Sequence, residues 1–153
     1  MITDGNSILV TKEWREELGG WDVRLPGGKM FENIKDYKKF KEETSDKNVF
    51  IQEARKAAHK ETFEEVGLNL NRDQFAFEHI SKCGAVINWD LYYFSIKIKE
   101  PVSTESEIVT SENEMILNTW VSFSEIKEMC LNGQISEDRT SNFLLKYIHN
   151  SKK

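Results

Sequence analysis

Three glutamates, Glu61, Glu64 and Glu65, stand at positions i, i+3 and i+4 of a segment rich in helix-forming residues. At about 100° per residue, their side chains fall within roughly a 100° arc of one helix face. Carboxylates that converge in this way repel one another unless a cation neutralises them, and the hard ion Mg²⁺ prefers oxygen ligands. The spacing therefore indicates a Mg²⁺ site, which Mn²⁺ could also fill. A solvated helix face, with Lys60 and Glu64 as an ordinary ion pair, is the alternative.

A sharp turn at Pro26-Gly27-Gly28 is the second feature with chemical meaning. Proline fixes one backbone dihedral, and the glycines admit close approach of another group because they carry no Cβ. Three alanines, Ala54, Ala57 and Ala58, share the arc of the glutamates, so the turn can approach that helix face. We expect the turn to lie across from the carboxylates, with the Gly28 carbonyl as a further metal ligand and a diphosphate between the two segments.

Two segments in this order resemble the Nudix signature. Lys60 to Leu68, K-E-T-F-E-E-V-G-L, is similar to its second half, and Leu25 to Lys29, L-P-G-G-K, to the segment that opens it. The resemblance implies a Nudix fold, an α/β/α sandwich around a mixed, largely antiparallel sheet. It also implies metal-dependent hydrolysis of a diphosphate linkage, in which Glu61, Glu64 and Glu65 are the catalytic, metal-binding carboxylates.

The sequence departs from that signature at three positions and in length. Lys60 stands in place of arginine, Thr62 in place of a bulky aliphatic residue, and Gln52 where the first glutamate of the signature falls. Lys29 to Ile51 fills roughly 23 positions where the signature has five. We therefore predict an insertion at about 30–50, in which Met30 to Asp46 forms an amphipathic helix that packs over the sheet, contacts a second subunit or covers the substrate.

The last third of the chain resembles the ADP-ribose pyrophosphatases and related nucleoside-diphosphate-sugar hydrolases. Trp120 to Phe123 and Gly133 to Thr140 carry this similarity, each followed by a predicted helix. It implies a homodimer and a general base from a loop, for which Glu112 and Glu114 are equal candidates. In that branch an additional N-terminal segment shapes the adenine pocket, and we expect no such segment here. The predicted substrate is a nucleoside diphosphate derivative such as ADP-ribose or a nucleotide sugar, and the expected lack of that segment favours a nucleotide or sugar other than ADP-ribose.

Other side chains could bind the substrate, although ordinary surface or core roles fit them equally well. Arg24 and Lys29 flank the glycines Gly27 and Gly28, and these four form the predicted diphosphate-binding set. Three aromatic residues near this region, Trp14, Trp21 and Phe31, offer either core packing or a stacking face for a base.

The predicted elements alternate between strands and helices in a single domain over 1–153. Strands are expected at Ser7–Glu13, Trp21–Leu25, Gln74–Ser81, Trp89–Lys99 and Met115–Val121. The Asp4-Gly5-Asn6 turn requires an earlier partner strand, which is either very short, within Met1–Thr3, or missing. Helices are expected from Lys47 or Asn48 to Val66, capped by Gly67, from the Ser122 capping box to near Gly133, and from about Asp138 to His149.

The composition of the chain argues against some classes of function and partner. The net charge of −5 argues against a partner that is nucleic acid, and no apolar run reaches the roughly 20 residues that span a bilayer. With two cysteines and no signal-peptide pattern, a cytoplasmic location is expected. Two alternatives to the nucleotide-sugar hydrolase remain, a non-catalytic nucleotide sensor of Nudix fold and a nucleoside triphosphate pyrophosphohydrolase.

Overall fold

The computed structural model describes residues 1–16, 19–84, 89–99, 108–109 and 115–151. Contacts within the chain divide it into two compact units, the first made of Met1–Pro26 with Ser95–Lys153 and the second of Gly27–Phe94. The elements are α-helices and strands of a mixed sheet, which is the α/β class that the sequence predicts. No helix of the described ranges is both long and apolar enough to cross a bilayer.

In the first unit, a long strand, β2 (Ser7–Arg15), organises the sheet. It pairs antiparallel with β7 (Met115–Ser122) on one edge, while β1 (Ile2–Thr3) and β3 (Gly20–Arg24) pair antiparallel with successive parts of it. The short first strand is therefore present within the first three residues. It also pairs in parallel with β5 (Leu91–Lys97), and β6 (Ile108–Val109) pairs antiparallel with β7.

Two helices pack in the first unit, α3 (Phe123–Leu131) and α4 (Asp138–Asn150). The side chain of Ser122 caps α3 by accepting from the Glu125 N–H, while the Glu125 carboxylate accepts from the Ser122 N–H, so the predicted capping box is confirmed. The core of this unit is aliphatic because both the strands and the helices turn apolar side chains inward. Its most deeply buried members include Ile2, Ile8, Leu9, Ile126, Ile135 and Leu144.

In the second unit, α2 (Lys47–Val66) has the bounds that the sequence predicts. Asp46 caps its first turn, and Gly67 ends it with a φ of 74°, a left-handed conformation that favours glycine. Thr62 is buried beside Val66 on the same helix, so the residue that replaces a bulky aliphatic faces the interior. His59 Nε2 donates a hydrogen bond of 2.8 Å to the Leu70 carbonyl and so joins α2 to the segment that follows it.

The helix predicted from Met30 to Asp46 is observed as α1 (Ile34–Glu43), which is shorter. Asn33 caps its first turn through the N–H groups of Lys35 and Asp36, so Phe31 lies before the helix rather than in it. Ile34, which shares the helical spacing of Phe31, Tyr37 and Phe40, is nevertheless 67% exposed. Phe31 packs against both Tyr37 and Phe40, and Phe40 packs edge-on against Phe50 in the first turn of α2, at 4.9 Å between ring centroids.

The remaining strands are close to the predicted ranges. Strand β4 (Ala76–Ser81) pairs with β5, and Gln74 belongs to a 3-10 helix, Arg72–Gln74, instead of the strand. In β5, Phe94 and Ile96 on one face and Tyr93 and Ser95 on the other are all buried, so both faces of this strand are covered in its centre.

Candidate functional site

The glycine turn of the second unit lies directly against helix α2. The Gly27 N–H donates a hydrogen bond of 2.9 Å to Oε2 of Glu65, which is 38 positions away in the chain. A charged acceptor makes this a stronger bond than one between neutral groups. It fixes the glycine turn beside the last turn of α2, at one of the three predicted metal ligands.

Gly28 is in still closer contact with the helix. A Cβ atom built on Gly28 would overlap all three atoms of the Glu61 carboxyl group, which already occupy that space. A Cβ on Gly27 would meet no atom within 4 Å. The second glycine of the pair is therefore the one that the site requires, because only a residue without a side chain allows Glu61 to lie against the backbone of the turn.

Lys60 lies between Glu64, the remaining predicted metal ligand, and Glu32 in the segment that follows the glycine turn. Its ammonium group lies 3.0 Å from Glu32 Oε1 and 3.6 Å from Glu64 Oε2. The hydrogen bond that Lys60 donates to Glu32 and the charges of Glu64 and Glu32 raise the pKa of Lys60, and the same hydrogen bond lowers the pKa of Glu32. Sequence reasoning missed Glu32, because nothing in its spacing from the turn distinguishes it from the other charged residues of the insertion.

These carboxylates are not gathered into a ready-made metal cluster. Within the described ranges, no group of three or more histidine, cysteine, aspartate or glutamate side chains is arranged to hold an ion. Glu61 and Glu65 face the turn, while Glu64 faces Lys60. The donor set nevertheless fits a hard divalent ion, since it consists of carboxylate oxygens beside exposed backbone. Glu64 would have to give up its ion pair with Lys60 to join it.

Arg24, predicted to bind the diphosphate, forms an ion-pair network in the first unit. Its Nε donates to Asp22 Oδ2 at 3.1 Å, and its Nη1 lies 3.4 Å from Glu13 Oε2, which also binds Arg15 at 2.6 Å. Glu13 and Asp22 are directly opposite each other on β2 and β3, and each is 5% exposed. These carboxylates compensate the Arg24 charge, so substrate binding by Arg24 stays a prediction. Asp22 and Arg24 are two positions apart in a strand, so their side chains share one face of the sheet. This spacing is the feature of the sequence that could have predicted their ion pair.

We expect the Asp22 network to make stability depend on pH. Burial alone would raise the pKa of the Asp22 carboxyl, but hydrogen bonds from Ser136 and Arg24 outweigh it and lower that pKa below its usual value. A lowered folded-state pKa stabilises the fold above the ordinary aspartate value, near 3.9, and the contribution is lost as pH falls through the lower folded value. Asp22→Asn should cost about 1–3 kcal/mol at pH 7 and much less at pH 3. Urea unfolding at both pH values measures this. An equal loss at pH 3 and pH 7 would contradict it.

The other predicted site residues are placed as follows. Lys29 is exposed just beyond the turn. Gln52, at the position of the first glutamate of the signature, accepts a hydrogen bond from Arg55 on the exposed side of α2. Glu112 and Glu114, the two candidates for the general base, lie outside the described residues, so that assignment stays a prediction.

Comparisons of the sequence with models of protein families and with curated proteins give no match.

Proposed function

We propose that this chain is a Nudix-type hydrolase that splits the diphosphate linkage of a nucleoside diphosphate derivative, such as ADP-ribose or a nucleotide sugar, with the help of Mg²⁺. The observation that carries the proposal is the contact between the glycine turn and α2, in which Glu61 lies against Gly28 and Glu65 accepts from Gly27. The turn and the carboxylates lie 33 or more positions apart in the sequence, so their contact is a product of the fold. The fold thus brings two of the three glutamates next to the glycine turn, as a site for a metal ion and a diphosphate requires.

In this proposal Glu61, Glu64 and Glu65 hold the ion, with the Gly28 carbonyl as a further ligand. Bound there, Mg²⁺ would supply charge compensation for the phosphate oxygens and lower the pKa of water. The proposed fold is the Nudix α/β/α sandwich, of which the α/β class and the mixed sheet are the observed part.

The chain's own groups have separate tasks. The Gly27 bond to Glu65 holds the turn in place, so that the exposed backbone of Gly28 can approach a diphosphate without a side chain in the way. Lys29 carries a positive charge at the exposed end of this turn and is suited to bind a phosphate oxygen. Lys60, through Glu32, ties the segment after the turn to α2. Glu112 or Glu114 would accept the proton of the attacking water.

The test is hydrolysis of ADP-ribose and a panel of nucleotide sugars, with Mg²⁺ and with excess EDTA, followed by mass spectrometry. We expect two monophosphate products with Mg²⁺ and none with EDTA. In ¹⁸O-labelled water, one of the two monophosphates should carry the label, because water attacks a single phosphorus. Release of inorganic pyrophosphate from nucleoside triphosphates would instead indicate a triphosphate pyrophosphohydrolase. No product from either substrate class would rule out the hydrolase.

One observation favours the second candidate, a nucleotide sensor that does not cleave its ligand. Lys60 already neutralises Glu64 in part, and an ammonium group in that position competes with a divalent ion for the carboxylate. The sensor predicts saturable nucleotide binding with no product at any Mg²⁺ concentration. Lys60→Met separates the two candidates further, because loss of the competing cation should strengthen Mg²⁺ binding in the hydrolase and leave nucleotide binding by the sensor independent of Mg²⁺.

A further inference from the structure

A cleft of about 510 Å³ lies beside the paired strands β2 and β3 of the first unit. Strand residues Lys12, Trp21 and Asp22 form one side, and Met129, Gln134 and Ser136, from the end of α3 and the loop after it, form the other. Pockets that bind small molecules commonly have volumes of about 300–1,000 Å³ and combine apolar surface with a few polar groups. This cleft has both properties.

The walls of the cleft are fixed by buried contacts. Ser136 Oγ donates to Asp22 Oδ1 at 2.6 Å and joins the loop to β3. The preceding residue, Ile135, is 2% exposed, and its carbonyl accepts from Ser141 Oγ at 3.1 Å. The loop is therefore fixed by the buried Ile135 side chain, by the hydrogen bond to the Ile135 carbonyl, and by the bond from Ser136 to β3. A cleft with walls held in this way needs little reorganisation to bind a ligand.

An indole ring is presented at this cleft with much of its surface uncovered. Trp21 is 44% exposed, and its cross-strand partner Trp14 is 49% exposed. The two rings meet edge to face, 5.8 Å apart at 81°, so each restricts the orientation of the other. An uncovered indole that is already oriented is suited to stack on a planar aromatic ligand, which would remove its apolar surface from water.

The charges around the cleft favour a ligand that carries negative charge. The Asp22 carboxylate is compensated by Arg24 and by the Ser136 hydroxyl. Lys12 is opposite Val23 in the strand register, which places it on the same sheet face as Trp21 and within reach of a ligand stacked there. No carboxylate of the described part of the chain forms an ion pair with Lys12 within 4.0 Å. The cleft therefore combines a stacking surface with an available cation.

We propose that this cleft binds a planar heteroaromatic ring attached to a phosphate, the chemical class of a nucleoside 5′-monophosphate. The ring stacks on Trp21, the Gln134 amide offers a donor and an acceptor to the ring edge, and the Lys12 ammonium binds the phosphate. This binding does not rest on the proposed hydrolysis, because every group that it uses belongs to the first unit and none of them needs a divalent ion.

Isothermal titration calorimetry in EDTA tests the assignment with the four common nucleoside monophosphates, phenyl phosphate and inorganic phosphate. Without a metal or a diphosphate bond, hydrolysis cannot contribute, so the result is independent of the proposed function. We expect saturable binding of at least one nucleoside monophosphate and weaker binding of inorganic phosphate. Trp21→Ala should weaken that binding by about tenfold or more, since stacking of one base on an aromatic side chain contributes about 1–3 kcal/mol.

The matched control is Trp89→Ala, which removes another exposed tryptophan that does not line the cleft and should leave the affinity unchanged. Lys12→Met should weaken nucleotide and phenyl phosphate binding alike, and Gln134→Ala should change the order of preference among bases. These two variants decide the question if Trp21→Ala does not fold. Absence of binding, unchanged affinity of Trp21→Ala, or inorganic phosphate binding as tightly as the nucleotides would overturn the proposal.

Discussion

Glu65→Gln should lower kcat/KM for the diphosphate substrate by about 100-fold or more while the fold is retained. Glutamine keeps an oxygen that can accept the Gly27 N–H, which Glu65 accepts at 2.9 Å, so the turn stays in place. What is lost is the negative charge that holds the divalent ion in the proposed site. Metal ions supply several kcal/mol of charge stabilisation, and each 1.36 kcal/mol is tenfold in rate.

Steady-state kinetics at saturating Mg²⁺, with a matched control, measure this effect. Glu43→Gln is the control, because Glu43 is an exposed glutamate on α1 whose 4.0 Å ion pair with Lys39 is of the weak surface kind. The control should retain the rate of the unaltered protein. Undiminished hydrolysis by Glu65→Gln, with far-UV circular dichroism unchanged, would remove Glu65 from the proposed metal site.

Gly28→Ala and Gly27→Ala should differ strongly in activity although they change neighbouring residues in the same way. The new methyl group at residue 28 would occupy the position of the Glu61 carboxyl group, whereas the one at residue 27 meets nothing within 4 Å. The Glu61 side chain is flexible, so its carboxyl group can move to another rotamer at a small cost in the free energy of unfolding. Its carboxylate would then leave the turn, and we expect a loss of about 100-fold in kcat/KM for Gly28→Ala.

The comparison of the two glycine variants needs both stability and kinetics. Thermal unfolding should shift by only a few degrees in each variant, since both glycines are exposed. Titration with Mn²⁺ should show weakened ion binding for Gly28→Ala alone. Equal activity of the two variants would mean that the contact between Gly28 and Glu61 has no part in turnover, whatever the other carboxylates do.

Periodicity and capping residues predicted most elements of this fold, and the reasons for the exceptions are physical. Helix α2 was predictable at both ends because Asp46 and Gly67 are local signals that depend on no distant contact. The extent of α1 was not, because the periodic pattern of Phe31, Ile34, Tyr37 and Phe40 continues across the Asn33 cap. The packing of Phe40 on Phe50 is a contact with another helix, which the local pattern does not contain.

The candidate site was predictable to the same degree. The helical spacing of Glu61 and Glu65, together with the glycine pair, led to the expectation that the turn and this helix face meet, and Gly27 and Gly28 do contact Glu65 and Glu61. The division of the glutamates between the turn and Lys60 was not predictable, because it depends on Glu32, which lies in the insertion. Likewise, the neutralisation of the Arg24 charge by Glu13 and Asp22 could be predicted only from the strand register that places these two carboxylates opposite each other.

The hydrogen bond between Gly27 and Glu65 affects how long the segment between the two residues can be. The bond joins two groups through space, and the entropy lost in closing a longer loop rises only with the logarithm of its length, by roughly 0.6 kcal/mol for each doubling. Extra residues between the turn and α2 thus impose a small thermodynamic penalty, and the added helix offsets part of it by packing Phe40 on Phe50. A long insertion is therefore compatible with an undisturbed meeting of turn and acidic face.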